Sequence, residues 1–369
     1  MKTQSAKNYT AAFPGKYIQG EHAISELPRL IALFGREGLL IASPTVKNKV
    51  LPRYHLHGSG IKITVEKFHG ECNEKELKRL GKILTSRNSD VVVGMGGGKA
   101  IDAAKICADR AGLPVIIVPT IASNDAPCSG CAVIYSDKGV FESVWYQKMN
   151  PQVVLVDTTV IAAAPVRLLV AGMGDALSTW FEARACEDSG SENVCGGSST
   201  MTGLNLARLC YDTLLQYGPA AKKDCENRMV TPALNYIIEA NILLSGIGFE
   251  SSGLASAHAV HNGLSMLEET HDFFHGEKVA FGVLTGLHLT GAPQEEMNTV
   301  YSFCEEVGLP TTFSDIGVRK ITGKRLKEVA VKACAPEESI HHEALEITTG
   351  NVVKSMIAAD AMGRSRKNR

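Results

Sequence analysis

Short apolar runs alternate with amphipathic stretches through the first part of the chain, the pattern of a parallel sheet buried on both faces by helices. Residues 38–43 read as a buried strand ending in a Ser-Pro turn, and residues 61–68 as a second. Asn73 is a good N-cap for a helix over 74–84, where Leu77, Leu80 and Leu84 recur on one face and acidic residues fill the first turn. Three more runs, 90–93, 115–118 and 153–156, read as strands.

After Asp157 the strand pattern fades into Ala, Leu, Met and charged residues at helical spacing, which predicts an all-helical second domain. Pro165 suits the first turn of a helix carrying Leu168 and Leu169, and Leu206, Leu209, Cys210 and Leu214 form an apolar stripe expected in the core. A chain of 369 residues exceeds the size at which one core stops growing, so two domains are expected, 1–163 and 164–369.

Composition narrows the class of function. With 44% hydrophobic and 21% charged residues the chain is globular, and a net charge of -1 supplies no field to draw nucleic acid or anionic lipid. Neither partner is expected, and the basic GRSRKNR at the C-terminus reads as a solvated tail. The N-terminus lacks the apolar segment of a signal peptide and no apolar run is long enough to span a bilayer, so a cytoplasmic location is expected. Ten scattered cysteines fit reduced thiols; Cys128 and Cys131 form a lone CxxC and read as small loop residues.

Candidate chemistry sits in three places. Gly94, Gly96, Gly97, Gly98 and Lys99 lie between a strand and a good helix former, the grammar of a phosphate-binding loop, although the spacing fits neither GxGxxG nor a Walker A loop. The alternative there is a tight turn beneath a buried helix. The loop over 119–127, with Thr120, Ser123 and Asp125, follows a neighbouring strand, and in an open α/β sheet both loops would face one nucleotide. Turn capping is the competing role for each of these residues. Third, four of the eleven histidines, His258, His261, His271 and His275, fall in one stretch at i, i+3 and i, i+4 spacings that favour a shared metal ion. Spacing alone does not choose among them.

Five motifs, GMGGGKAIDAAK, PTIASNDAPCS, RLLVAGMGDALSTWFEARAC, GFESSGLASAHAVHNGL and FHGEKVAFG, in this order and at these intervals, resemble the glycerol dehydrogenase family of the iron-containing (type III) alcohol dehydrogenase superfamily. The resemblance implies a Rossmann-like α/β N-terminal domain, an all-α C-terminal domain in the dehydroquinate synthase-like arrangement, and a homo-oligomer, commonly an octamer. It also implies oxidation of glycerol or a related vicinal diol to dihydroxyacetone, with hydride passing to NAD in a cleft that holds a divalent metal. Carried over by motif, the metal ligands fall on Asp175, His258 and His275. The cofactor contacts fall on Gly98, Lys99, Thr120, Ser123, Ser129, Cys131 and Tyr135, beside Gly96 and Gly97 of the glycine loop, and the substrate contact on Asp125. His261, one helical turn from His258, is expected to relay a proton or support a ligand, with packing as the alternative.

Three departures from the family pattern carry consequences. Relatives that use iron place a histidine where this chain has Thr179, leaving a two-histidine, one-aspartate set that suits Zn2+ and also fits Fe2+. Ser43 stands where the family has an acidic residue that grips the adenosine ribose, which opens the site to NADP. Asn124 and Cys131 replace a small hydroxyl and an aliphatic residue. The competing expectations are a dehydrogenase of another polyol, a 2-hydroxyacid or glycerol 1-phosphate, a 3-dehydroquinate synthase-type lyase, and a non-enzymatic nucleotide-binding module.

Overall fold

The protein is described by a computed structural model covering residues 8–56, 58 and 60–367. Six strands, β1 (Tyr17–Gly20), β2 (Glu37–Ala42), β3 (Lys62–Lys67), β4 (Val91–Gly96), β5 (Val115–Pro119) and β8 (Val153–Asp157), form one sheet in the order β1-β8-β5-β4-β2-β3. Every pairing in it is parallel. A separate antiparallel hairpin joins β6 (Cys131–Tyr135) to β7 (Phe141–Tyr146).

The central strands are apolar throughout because both faces are covered. Neighbours that point to opposite faces, Leu39 and Leu40, Val92 and Val93, Ile116 and Ile117, Val154 and Leu155, are all fully buried. The strand β1 and the hairpin escaped the pattern because β1 is half-buried throughout, β6 buries only Ala132 and Ile134, and β7 is half-buried or exposed, with Phe141 and Tyr146 among the exposed aromatics.

Helices follow in chain order: α1 (Leu27–Ile31), α2 (Glu74–Ser86), α3 (Gly98–Ala111), α4 (Thr158–Ala162), α5 (Val166–Ser189), α6 (Met201–Glu226), α7 (Pro232–Glu239), α8 (Ser245–Ser252), α9 (Ser256–Leu264), α10 (His275–Thr290), α11 (Gln294–Val307), α12 (Gly323–Ala333) and α13 (Thr349–Lys367). Asn73 caps α2 as expected, its side chain accepting from Glu76 N.

The chain forms two compact units. One comprises Ala12–Pro165 and Asp224–Gly246; the other comprises Met1–Ala11, Val166–Lys223 and Ile247–Arg369. The helical stretch expected over 164–369 is therefore not one unit. Its segment Asp224–Gly246 packs with the sheet: Gln19 Nε2 donates to Asn235 O at 2.9 Å and Asn241 Nδ2 to Ala122 O at 3.0 Å. Periodicity identifies a helix but not the neighbour that covers its apolar face.

Two further expectations change in the helical unit. On α6 the buried stripe is Gly203, Ala207, Cys210, Tyr211 and Leu214, while Leu209 is 50% exposed and Leu206 half-buried. The basic C-terminal stretch is not a solvated tail through Lys367: it continues α13, with Arg366 paired to Glu305 and Lys367 to Asp315. Asn368 and Arg369 lie outside the described residues. All ten cysteines are free thiols; Cys128 is buried in its loop and Cys131 opens β6.

Candidate active site

Two long helices cross where they carry charge. A Cβ on Gly276 would lie 1.8 Å from Ala171 O and 2.8 Å from Asp175 N, and one on Gly174 would lie 2.3 Å from Gly276 O. Only glycines permit this approach of α5 and α10. Each glycine adjoins a candidate ligand, so the crossing sets Asp175 beside His275, the first residue of α10. The third candidate ligand, His258, comes from the first turn of α9.

The three ligand atoms converge. Asp175 Oδ1 is 3.1 Å from His275 Nε2 and 3.6 Å from His258 Nε2, and the two Nε2 atoms are 3.4 Å apart. A tetrahedral zinc with bonds of about 2.0–2.1 Å would space its ligand atoms by about 3.3–3.4 Å, so the set matches such an ion. Among the described residues this is the single His/Cys/Asp/Glu group with metal-binding geometry.

The electrostatics follow from crowding. Asp175 is 1% exposed; burial would raise its carboxyl, but His275 and His258 outweigh it and hold it well below the usual range. Burial would likewise lower His258, yet Glu182 and Asp175 together push it well above an ordinary histidine. His261 moves the other way, kept neutral by burial first and then by His275, Lys278 and His258.

Of the four clustered histidines, the structure brings three together. His261 Nε2 lies 3.1 Å from His275 Nδ1, and His261 Nδ1 lies 3.1 Å from Asn262 Oδ1. His271 is exposed and bonds Ser265 O at 3.0 Å, away from the ligand set. Thr179, one turn beyond Asp175 on α5, is buried. Sequence reasoning missed Glu182, also on α5 and 1% exposed, whose Oε2 accepts from His258 Nδ1 at 2.6 Å. Its i+7 spacing from Asp175 was the only available signal.

In the sheet unit, strand order reverses between β2 and β4: the chain leaves β2 outward to β3 and returns on the other side as β4. Such a switch point opens a crevice at the carboxyl ends of the strands, where ligands of open α/β sheets bind. Ser43 follows the last residue of β2 and Gly96 ends β4, and a Cβ on Gly96 would lie 3.2 Å from the Ser43 Cβ. Gly94 lets α3 lie against β4, since a Cβ there would stand 2.5 Å from the Ala104 Cβ. The N-cap Gly97 supplies no side-chain cap, and the positive end of the α3 dipole lies at this glycine loop.

The two predicted loops are neighbours. Thr120 N donates to Gly96 O at 3.0 Å, and a Cβ on Gly98 would lie 3.2 Å from Asn124 Nδ2. Thr120 and Ser123 are half-buried on this loop, and Ser245 Oγ donates to Asp125 Oδ2 at 2.7 Å. Lys99 pairs with Glu71 at 2.8 Å and its Nζ lies 4.9 Å from the Tyr135 ring centroid. Ser129 is fully buried, donating to Ala126 O, and Cys131 Sγ donates to Ser129 Oγ at 3.5 Å.

The profile of the iron-containing alcohol dehydrogenases matches residues 14–158. The chain is 51% identical to the glycerol dehydrogenase of Thermotoga maritima across 97% of this chain and 99% of that protein. It is 47% identical to the glycerol dehydrogenase of Citrobacter freundii, covering 95% and 97% of the two chains. The crystal structure of a probable glycerol dehydrogenase from Sinorhizobium meliloti superposes with a TM-score of 0.91 at 42% identity, covering 97% of this chain and 99% of that one. The chain belongs to the iron-containing alcohol dehydrogenase family and is an oxidoreductase. Within that family, these near-full-length relatives are glycerol dehydrogenases.

Proposed function

We propose that the protein oxidises glycerol, or a related vicinal diol, to dihydroxyacetone, with NAD as hydride acceptor and a divalent cation at Asp175, His258 and His275. The observation that carries this reading is the convergence of two imidazole Nε2 atoms and one buried carboxylate oxygen at 3.1–3.6 Å. Zinc suits this set, and ferrous iron shares it. Three protein ligands leave a coordination position for substrate.

When bound, the cation supplies Lewis acidity toward a hydroxyl oxygen and the dinucleotide supplies the hydride acceptor. The chain's own residues do the rest. Gly96, Gly97, Gly98 and Lys99 hold the pyrophosphate at the start of α3, with Ser43, Thr120, Ser123, Ser129, Cys131 and Tyr135 as further cofactor residues. Asp125 accepts a hydrogen bond from a second substrate hydroxyl, favouring polyols over simple alcohols. His275 ligates through Nε2 only if Nδ1 carries its proton, which it donates to His261 Nε2; His261 in turn donates from Nδ1 to Asn262 Oδ1. Neutral His261 thereby orients His275, the supporting role of the two expected for it.

Ser43 removes the carboxylate that would repel a 2′-phosphate, so NADP is the second cofactor to test. In this reading residues 1–163 serve the dinucleotide and 164–369 the metal and catalysis, apart from Asp224–Gly246, which packs with the sheet, and residues 8–11, which pack with the helical unit. No helix among the described residues is long and apolar enough to cross a membrane. We further assign a cytoplasmic homo-oligomer, an octamer, which light scattering on the purified protein checks.

One assay tests the whole reading. Reduced cofactor is followed with NAD or NADP against glycerol, 1,2-propanediol and glycerol 1-phosphate, before and after chelation and zinc readdition. Glycerol-dependent reduction of NAD that is lost on chelation and restored by zinc supports it. Conversion without net cofactor reduction, as a 3-dehydroquinate synthase-type lyase would show, overturns it. Asp175→Ala and His275→Ala should each abolish activity and metal retention together while the fold persists.

A further inference from the structure

Glu182 holds His258 from two directions at once. Its Oε2 accepts the proton of His258 Nδ1 at 2.6 Å, and its Oε1 accepts from the backbone N–H groups of Ala255 and His258, both at 2.9 Å. The carboxylate is 1% exposed. Helix α9 has no side-chain cap of its own at Ala255, so Glu182 supplies one, with Glu343 accepting from Ser256 N at 3.2 Å beside it. The same helix, α5, thus carries Asp175 and, two turns on, the group that fixes the backbone and ring of another ligand.

We infer that Glu182 is the positioning residue that fixes the tautomer of His258 and so makes its Nε2 a metal ligand; this rests on the metal reading above. An ionised carboxylate has no proton to give, so the Nδ1 it faces must carry one. The Nε2 lone pair is then aimed at Asp175 and His275. A carboxylate also raises the basicity of the imidazole it orients, and loss of such a partner costs about 10–100-fold in metal affinity.

The chemistry of glutamine makes the test sharp. Glu182→Gln keeps the volume but has one oxygen for two tasks. If that oxygen takes the two backbone N–H groups, the amide NH2 faces His258 Nδ1, which must then be the acceptor; the proton moves to Nε2 and the ligand is lost. If the oxygen faces Nδ1 instead, the amide NH2 opposes two backbone donors and α9 loses its cap. Neither orientation preserves what the carboxylate does.

The experiment uses the full-length protein stripped of metal and titrated with zinc against a chromogenic chelator at neutral pH, with NAD affinity and the melting temperature of the metal-free form measured alongside. The expected result is about 10–100-fold weaker zinc binding in Glu182→Gln, with NAD affinity unchanged. The visible ligand-field bands of the cobalt-substituted protein should shift as well. Glu182→Asp, which retains charge but is one methylene too short to reach both sides, should fall between the two and serves if the glutamine variant does not fold. Zinc affinity equal to wild type in both variants would overturn the inference while leaving the metal reading intact. A wild-type protein that takes up no zinc, cobalt or iron would overturn both.

Discussion

Ser245 donates its hydroxyl proton to Asp125 Oδ2 at 2.7 Å, joining residues 120 apart in sequence. Ser245 is fully buried and follows a π-helical turn, Ala240–Leu244, that packs against the same loop through Asn241. Irregular turns of this kind recur at functional sites because they re-aim one side chain without ending the helix. The bond orients the carboxylate proposed to meet the second hydroxyl of the substrate. Ser245→Ala should lower kcat/KM for glycerol about tenfold or more, matching the roughly 1.5–3 kcal/mol of a hydrogen bond to a charged group. The KM for NAD should stay put, and Ser245→Thr should restore most of the loss. Steady-state kinetics in both substrates checks this; an unaltered glycerol KM would remove Ser245 from the specificity argument.

The glycine crossing of α5 and α10 gives a second expectation. Gly276→Ala places a methyl group where Ala171 O already stands, so the helices must separate. Overpacking of this kind costs about 1–3 kcal/mol and sometimes more. Separation should also draw His275 from Asp175, so bound zinc per chain should fall alongside the melting temperature. A variant that melts early yet retains full zinc would show that the ligand spacing does not depend on the crossing.

Cofactor choice turns on Ser43. With Ser43 seated over the glycine loop, Ser43→Asp restores a bidentate acceptor for ribose hydroxyls and a charge that repels a 2′-phosphate. The NAD-to-NADP ratio of kcat/KM should rise about tenfold or more, the equivalent of about 1.4 kcal/mol. An unchanged ratio would place the ribose elsewhere.

Asp102 lies on α3 and is pushed up to about 6 by burial, with Lys105 and the Val133 N–H opposing the rise. Its folded value therefore exceeds its unfolded one. Between about pH 4 and 6 the native protein retains a proton that the unfolded chain has shed, so this group's contribution to stability falls as pH rises through that window, by on the order of 3 kcal/mol in full. Asp102→Asn cannot titrate. Relative to wild type it should be more favourable at pH 7.5 than at pH 4.5 in denaturant unfolding, and a difference independent of pH would refute the assignment.

The motifs named Asp175, His258 and His275, the three groups that converge, but histidine spacing alone read the candidate metal site only in part. His258, His261, His271 and His275 share similar spacings, yet His271 faces solvent on a turn while His261 sits behind His275 rather than beside Asp175. Local periodicity reports which residues share a helix face; it carries no information about which face another helix covers. Asp175 lies 83 residues from His258, and Glu182 lies 76 residues from it. For the same reason Leu209 read as core and is half exposed, and Asp224–Gly246 read as part of the helical domain and packs with the sheet.

Sequence alone determined what depends on neighbours along the chain: the buried strands, the Asn73 cap, and the glycine loop between β4 and α3. Those features follow from backbone conformation and apolar spacing within a few residues. Tertiary structure decided how the candidate ligands converge, because their spacing is a condition on distances between three helices, met here by the close contact of Gly174 with Gly276 and by the grip of Glu182 on α9.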